Sequence, residues 1–300
     1  MTLTPEQHKR RSKGLGGSDI GAMLGLSKWK SPMDLWSEKC GRHTPPDIGD
    51  KEFIHFGNVL EDVVAQEFML RTGKTVHRKR GTIQHPKYDF MLGNIDRRVV
   101  GERALLECKT AGAWVQQDWG ETGSDDVPLY YLTQGIHYME VLNYDVCYFA
   151  VLIGGNEFRW YVVERDKEVA QNLIEREAEF WRLVLTETPP DPRDYPDVVR
   201  LYPRDKKAGI VATDAVFRHL SNYEAAREKR NKVDAEIDFA KMHICEFMGQ
   251  AGRLTDRTGA RLATWLAHPR TDIDTAKLRK LYPEIYEELS VVSTVRPFRT

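Results

Sequence analysis

The stretch LLECKT, at positions 105–110, carries a glutamate and a lysine at a spacing suited to chemistry on a β-strand. Alternate residues of a strand point to the same face, so Glu107 and Lys109 should lie side by side. A second carboxylate, Asp96, lies eleven residues upstream, and a hairpin would return it to Glu107. Two carboxylates and a lysine can hold Mg²⁺ and stabilise a phosphate under attack. The ordinary alternative is a surface ion pair on an edge strand, because Glu-x-Lys is common by chance.

Helical patterns surround this strand and could supply further polar side chains. Residues 58–72 have the broad apolar face of a packed helix, and Gly73 is a typical helix end. Glu61 falls three residues after Asn58, where it either completes a capping box or extends a carboxylate towards the sheet. The periodicity does not separate these two interpretations.

A second helix is predicted over residues 128–143, with Gln134 and His137 as the polar members of its apolar stripe. A satisfied core residue is the favoured interpretation of His137. Strands are predicted over residues 75–83, 89–100, 146–153 and 157–164. The last two are joined by a Gly-Gly-Asn turn, and a helix is predicted over 166–186. The helix between LLECKT and residues 146–153 is long enough for a right-handed crossover, which would make those two strands parallel. The prediction is therefore an α/β fold with a mixed central β-sheet flanked by helices.

The N-terminal region has a glycine-rich turn, GLGGSDI, at positions 14–20. Ser18 suits the N-cap of a short helix over residues 19–24. The same turn could form a nest of backbone amides that grips a phosphate, with a basic residue nearby. Both interpretations remain open on these residues alone.

Composition limits the classes of function. The chain has 300 residues, a net charge of -1 and a pI of about 6.8, so a polyanion would have to bind local patches. Basic runs occur at 8–13, 77–80 and 97–98, although such runs are usually solvated surface. The four widely spaced cysteines argue against zinc or iron–sulfur ligation. They indicate free thiols in a reducing cytoplasm, and no apolar run approaches the ~20 residues that a membrane span needs.

The last third of the chain contains no evident catalytic set. A connector rich in Pro, Asp, Lys and Arg over 193–211 precedes a long charged helix over 213–248. A small hairpin over 252–266, a further helix and a short strand tail at 295–298 are predicted to follow. This part is interpreted as an appended helical module for DNA or protein contacts.

Several stretches in a fixed order resemble the YqaJ-type phage recombinase nucleases, relatives of the lambda exonuclease in the restriction-endonuclease-like superfamily with the D…(D/E)-x-K motif. They are GLGGSDIGAMLGLSKWKSPMDLW, FGNVLEDVVAQEF, GNIDRRV, LLECKT, YLTQGIHYMEVLNYDVCYFAVLIGG and FRWYVVERD, which together span roughly residues 11–190. The resemblance implies a restriction-endonuclease-like nuclease domain at 1–192, with the C-terminal helical extension at 193–300. The turn around Asp96 departs from the family, which often has Pro before and Gly after its aspartate.

The resemblance implies roles for individual residues. Asp96 and Glu107 would bind the metal, Glu61 would add a third carboxylate, and Lys109 would orient or help to deprotonate the attacking water. Gln134 would support the site from the following helix. The pocket for a 5′-terminal phosphate would consist of Ser18 and a preceding basic residue, best placed at Arg11.

The implied function is a Mg²⁺-dependent exonuclease, with Mn²⁺ as a substitute, that resects linear double-stranded DNA 5′ to 3′ for phage-type recombination. The implied partners are DNA ends and a single-strand annealing protein, in the cytoplasm of a bacterial host, with phage or prophage origin. Relatives form rings around DNA, so a homo-oligomeric ring is one implied arrangement. The alternatives are a structure-selective endonuclease on the same fold and a catalytically idle DNA-binding scaffold.

Overall fold

The computed structural model describes residues 13–45, 48–292 and 295–300, which form two compact units divided between Leu201 and Tyr202. The described residues of the first unit contain eight strands: β1 Leu15–Gly16, β2 Val76–Arg78, β3 Ile83–Gln84, β4 Met91–Gly93, β5 Arg97–Val99, β6 Ala104–Ala111, β7 Val146–Ile153 and β8 Glu157–Glu164. Its helices are α1 Gly17–Met23, α2 Pro32–Lys39, α3 Glu52–Thr72, α4 Leu129–Leu142, α5 Lys167–Leu185 and α6 Tyr195–Leu201, with a 3₁₀ helix at Ala113–Asp118.

Five of these strands form the central sheet, in the order β2-β5-β6-β7-β8. Strands β6 and β7 are parallel over their full length, from Ala104 opposite Val146 to Ala111 opposite Ile153, and α4 connects them. The other pairings in this sheet are antiparallel. The prediction of an α/β fold with a mixed central sheet flanked by helices is therefore confirmed, including the parallel crossover.

The first half of strand β6, from Ala104 to Glu107, is buried on both faces because helices cover each side of the sheet. On one face, Leu105 and Phe149 belong to a cluster that also contains Met139 of α4. On the other face, Leu106 packs in a cluster with Val64 and Phe68 of α3, among others. A continuous apolar run is what a strand in this position needs, and it explains why LLECKT carries so few polar residues outside its motif.

The region before β6 differs from the two long strands predicted over 75–83 and 89–100. It contains four short strands, of which β3 and β4 form a separate three-stranded sheet with β1. The chain turns at Gly81, where φ is +87°, and again at His85, whose Nδ1 accepts hydrogen bonds from the amides of Lys87 and Tyr88. Positive φ is strained for residues other than glycine, so the first turn ends the strand there.

Ser18 is not the N-cap of the first helix, so that prediction is wrong. Helix α1 begins at Gly17 with Gly16 as its N-cap, so Ser18 lies inside the helix. The side chain of Asp19 supplies the capping interaction instead, since its Oδ2 accepts a hydrogen bond from the amide of Gly16 at 3.0 Å. A carboxylate at the third helical position also interacts favourably with the helix dipole.

Helix α3 begins six residues earlier than predicted, with Lys51 at its N-cap. Glu61 therefore lies in the middle of a 21-residue helix, and the capping-box interpretation is wrong. Residues 52–57 contain no proline, and the single Gly57 costs only about 1 kcal/mol in a helix interior, so nothing stops the helix from extending to Glu52.

Residues 193–201 belong to the first unit. The buried carboxylate of Asp197 accepts a hydrogen bond from Ser31 Oγ at 2.7 Å, and Arg193 Nη1 donates to the carbonyl of Gly25 at 3.0 Å. The assignment of a nuclease role to the first part of the chain and a contact role to the second stays a prediction.

The second unit contains α7 Asp214–Met248, the hairpin of β9 Arg253–Thr255 and β10 Arg261–Thr264, α8 Thr275–Leu281 and α9 Pro283–Leu289. The long helix and the hairpin confirm the pattern read from the sequence. The tail at 295–298 is not a strand, which corrects that part of the prediction. Among the described residues, no helix is long and apolar enough to cross a membrane.

Candidate active site

Antiparallel pairing of β5 and β6 brings the two predicted metal-binding carboxylates together. Arg97 is opposite Leu106 in the register, so Asp96, just before β5, meets Glu107 at the next step along β6. The backbone amide of Asp96 lies 3.4 Å from Oε1 of Glu107, and the amide of Cys108 donates to Oδ2 of Asp96 at 2.8 Å. The expected return of the chain from Asp96 to Glu107 is therefore present.

Glu107 is a buried carboxylate within a polar network. Its Oε2 accepts hydrogen bonds from Lys109 Nζ at 2.9 Å and from Gln134 Nε2 at 3.0 Å. Burial and the nearby charge of Asp96 raise the pKa of Glu107 to about 7, although Lys109 opposes this shift. In the absence of a bound cation, this carboxyl group is thus only partly ionised near neutral pH.

Burial and neighbouring groups also have opposite effects on the pKa of Asp96. Burial raises the pKa of Asp96, and the charge of Glu61 adds to that effect. Lys109, the amide of Cys108 and Arg97 act in the opposite direction without cancelling it. Two carboxyl groups with raised pKa values next to each other form a site that a cation would stabilise.

Lys109 remains a cation despite its burial. Burial alone would lower the pKa of Lys109, but the charges of Glu107 and Asp96 and the hydrogen bond to Glu107 together raise it. Its Nζ also lies 3.2 Å from Oε1 of Gln134 and 5.3 Å from the centre of the Tyr131 ring. The ammonium group is therefore fixed beside both carboxylates and retains its proton.

Gln134 links Glu107 to Lys109 from helix α4, because its amide nitrogen donates to the first and its amide oxygen accepts from the second. Gly135 lets this helix approach the sheet: a Cβ added there would lie 2.7 Å from Cζ of Phe149 and 2.9 Å from Sγ of Cys147. A larger residue at 135 would displace Gln134 from the site.

Tyr138 is a site neighbour that the sequence analysis did not single out as polar. Its hydroxyl lies 3.4 Å from Nε2 of Gln134, and burial raises its pKa, with the charge of Glu107 adding to that shift. Tyr138 lies four residues after Gln134 on the same stripe of the helix, and this spacing is the sequence signal that could have indicated its contact with Gln134. The other polar member of that stripe, His137, is a satisfied core residue as expected, with Glu177 and the carbonyl of Leu92 as its partners.

Glu61 lies near the site but is engaged by arginines. Its Oε1 is hydrogen bonded to Arg97 Nη1 and to Arg78 Nη2, the latter at 3.1 Å. Asp62 pairs with the same two arginines. Arg97 is buried, so the predicted basic patch at 97–98 is wrong for this residue: the guanidinium is an internal partner of α3.

The proposed phosphate pocket is only partly described. Arg11 lies outside the described residues. Ser18 lies in α1, where its carbonyl accepts a hydrogen bond from the hydroxyl of Tyr130 at 3.1 Å. Beside it, Lys39 Nζ lies 2.7 Å from Oδ2 of Asp19, a largely buried pair that the sequence analysis did not identify.

The donor chemistry fits a hard divalent cation. Mg²⁺ is typically held by one or two carboxylates and keeps several waters, so Asp96 and Glu107 are a sufficient protein contribution. Across residues 13–45, 48–292 and 295–300, no group of three or more His, Cys, Asp or Glu side chains is arranged to hold a metal. Glu61 is therefore not gathered with the other two carboxylates into one ligand set.

Comparison with protein families gives a match over residues 6–145 to the YqaJ-like viral recombinase domain. The uncharacterized protein YqaJ of Bacillus subtilis (strain 168) is 35% identical over 302 residues, which covers 96% of this chain and 91% of that protein. The uncharacterized protein R354 of Acanthamoeba polyphaga mimivirus is 26% identical over 153 residues, which is 47% of this chain but only 27% of that protein.

Among solved structures, the alkaline exonuclease LHK-Exo of Laribacter hongkongensis superimposes with a TM-score of 0.50 at 16% sequence identity. The match covers 62% of this chain and 94% of that protein. At this identity the likeness concerns the fold alone, which is restriction-endonuclease-like.

Proposed function

The chain belongs to the family of YqaJ-like viral recombinases, and we propose that it is a Mg²⁺-dependent exonuclease that hydrolyses linear double-stranded DNA. The observation that carries this proposal is the cluster of Asp96, Glu107, Lys109 and Gln134, in which Glu107 and Gln134 are buried and the other two are half-buried. Withdrawing two carboxylates from water is costly unless a nearby charge compensates them. The single lysine is not enough, because the pKa values of Asp96 and Glu107 both remain raised. A divalent cation would remove that cost.

Each side chain of the site has a separate proposed role. Asp96 and Glu107 would hold Mg²⁺ or Mn²⁺, which when bound lowers the pKa of water and offsets charge on the phosphate. Lys109 stays protonated beside them, which favours stabilisation of developing charge over removal of a proton from water. Gln134 holds Glu107 and Lys109 at a fixed separation. Glu61 would act from α3, where the charge it carries contributes to the field at Asp96.

The proposed substrate is the end of a DNA duplex, digested 5′ to 3′, with Ser18 and Arg11 proposed to hold the terminal phosphate. The exposed run at 77–80 would contact the DNA backbone without reading the base sequence. An annealing protein that receives the single strand and a ring-shaped homo-oligomer are further proposals that rest on the family. A cytoplasmic location in the bacterial host is also a proposal that rests on the family.

Digestion of a 5′-phosphorylated linear duplex and of a closed circular plasmid tests the proposal. In Mg²⁺, the wild type should release nucleotides from the linear DNA and leave the circle intact. The variants Glu107→Gln and Lys109→Ala should each lose at least about 100-fold in rate. Glu102→Gln is a matched control, because Glu102 lies just before β6 and pairs with Lys74, outside the cluster.

The same assay separates the alternatives. Nicking or cutting of the closed circle would indicate a structure-selective endonuclease on the same fold and not an exonuclease. If both DNAs survive, or if the two variants match the wild type, the catalytic proposal fails and a DNA-binding scaffold takes its place.

A further inference from the structure

The hairpin of β9 and β10 in the second unit has one basic face. Its register places two arginines and two threonines on the same side of the ribbon: Arg253, Thr255, Arg261 and Thr264. All four side chains are exposed, whereas Leu254 and Ala263, on the opposite side, are half-buried. The hairpin therefore has its apolar side partly covered and presents arginine and threonine to solvent.

The turn of the hairpin carries a third arginine. The amide of Asp256 donates to the carbonyl of Ala260 at 3.0 Å, and Arg257 lies in the loop between them. Gly259 has a φ of +88°, a left-handed conformation that glycine adopts without strain. The Asp256 side chain is bound within this turn, where its Oδ1 accepts hydrogen bonds from the amides of Thr258 and Ala260 at 2.8 and 2.9 Å. The carboxylate of the hairpin thus stabilises the turn.

The three arginines of the hairpin, Arg253, Arg257 and Arg261, are exposed and have no anionic partner. Over residues 13–45, 48–292 and 295–300, none of them forms an ion pair or a side-chain hydrogen bond. Arginines of the first unit such as Arg97 and Arg165, in contrast, pair with carboxylates. The guanidinium groups of the hairpin are therefore available to a ligand.

The sequence around the hairpin is basic. Residues 249–281 contain seven Lys or Arg, three Asp and no Glu. The three aspartates are all engaged within this segment. Asp256 binds the turn, and Asp272 pairs with Arg270 at 2.9 Å. Asp274 caps helix α8. An anionic ligand would thus meet local positive charge, although the net charge of the chain is -1.

The shape and spacing of this surface fit the backbone of duplex DNA. Arginine binds phosphate oxygens through its planar fork, and threonine hydroxyls also donate to them. Diagonal neighbours on two strands, such as Arg253 and Arg261, lie about 7–8 Å apart. B-DNA carries one negative charge per ~1.7 Å of its axis, so phosphates lie within reach of both arginines at any position along the duplex. An acidic peptide would need carboxylates at one matching spacing, and a two-stranded ribbon also has a width that the major groove admits.

We propose that the hairpin of the second unit binds the phosphate backbone of duplex DNA through Arg253, Arg257 and Arg261. This contact would not read the base sequence, and it would give the chain a second DNA-binding surface, on the unit that contains none of the proposed catalytic residues. The inference rests on the proposed function for the identity of the ligand, and it does not depend on hydrolysis.

Equilibrium binding of a short, fluorescein-labelled blunt duplex to the full-length protein tests the proposal. Fluorescence anisotropy in EDTA keeps metal-dependent hydrolysis out of the measurement. The triple variant Arg253→Gln/Arg257→Gln/Arg261→Gln should raise the Kd at least about 10-fold at about 100 mM salt. Between about 50 and 200 mM salt, the slope of log association constant against log salt concentration should become less steep by about 2 to 3, because each lost phosphate contact removes about 0.9.

Two further variants separate a local contact from net charge and from misfolding. Arg218→Gln/Lys229→Gln/Lys241→Gln removes the same charge from exposed positions of α7 and should bind DNA as the wild type does. Replacing the three hairpin arginines by lysine keeps the charge and should retain the salt dependence of the wild type. Thermal unfolding of each variant, followed by circular dichroism, checks that the fold is kept.

Several results would overturn the proposal. They are absence of DNA binding by the wild type, an unchanged Kd for the glutamine variant of the hairpin, and an equal loss of affinity in the α7 control or in the lysine variant. Failure of the exonuclease proposal would give a different result, in which DNA stays intact in Mg²⁺ while binding still depends on the three arginines.

Discussion

Oε2 of Glu107 and Nζ of Lys109 lie 2.9 Å apart on one face of β6, and only 2% of the Glu107 side chain is exposed to solvent. A buried ion pair of this kind stabilises the fold only weakly, because desolvation offsets most of the attraction between the charges. The pair is better explained by what it can do with Asp96 than by stability.

Gln134→Leu should slow DNA hydrolysis by about 10- to 100-fold, because residues that orient metal ligands typically have effects of this size. It removes the hydrogen bond to Glu107 and leaves Lys109 without its amide partner. Thr133→Val is the matched control on α4, since Thr133 bonds the carbonyl of Tyr130 outside the cluster. Initial rates on a linear duplex, measured beside thermal unfolding, are the readout, and equal rates for the two variants would contradict the prediction.

Mg²⁺ or Mn²⁺ should raise the melting temperature of the wild type. Binding to the native state alone stabilises it by about 2.7 kcal/mol when the ion is at 100 times its Kd. Asp96→Asn and Glu107→Gln should abolish the response, and both should be at least as stable as the wild type without metal, because each removes one of two adjacent carboxylates. An unchanged wild-type melting temperature across a metal titration would count against a metal site here.

Glu61→Gln should weaken metal binding by about 10-fold, at the lower end of the range for residues around a metal site. The charge of Glu61 acts on Asp96, and neutralising it makes the site less negative. Asp62→Asn is a closely matched control, since Asp62 pairs with the same arginines but is not among the main causes of that shift. Isothermal titration with Mn²⁺ gives both affinities, and equal losses would assign the effect to the arginines.

His137 should make stability depend on pH. Burial opposes the imidazolium, but the charge and hydrogen bond of Glu177, with the carbonyl of Leu92, raise the pKa of His137 above 6.5 in the folded state. The stabilising contribution is complete below the unfolded pKa and is lost as pH rises through the folded value. The free energy of unfolding should therefore decline above about pH 6.5 in the wild type, and less in His137→Gln. Denaturant titrations between pH 5.5 and 9 give the difference, and parallel curves would refute it.

Strands β6, β7 and β8 could be predicted from sequence because their signals are local. Val146–Ile153 and Glu157–Glu164 are uninterrupted strand-forming runs on either side of a Gly-Gly-Asn turn, and the structure gives them those bounds. The meeting of Asp96 with Glu107 was also predictable, since a short hairpin leaves few ways to return the chain.

The surroundings of the site were less predictable because they depend on partners distant in sequence. The cap at Gly16 uses Asp19, which also pairs with Lys39. Arg97 has the sequence pattern of a surface charge, but in the structure helix α3, which begins at Glu52, places two carboxylates beside it. No local pattern separates a buried arginine from an exposed one when the neighbours come from another element.

The hydrogen bond from the Cys108 amide to Asp96 has a consequence for solvent exchange. Pairing between β5 and β6 ends at Leu106, so beyond that point a side chain takes the place of the neighbouring strand. The proton on this amide is protected only while Asp96 holds its position. Deuterium uptake at Cys108, read against the strand-paired amide of Leu106, would therefore follow the opening and closing of the carboxylate site in the intact protein, without any substrate.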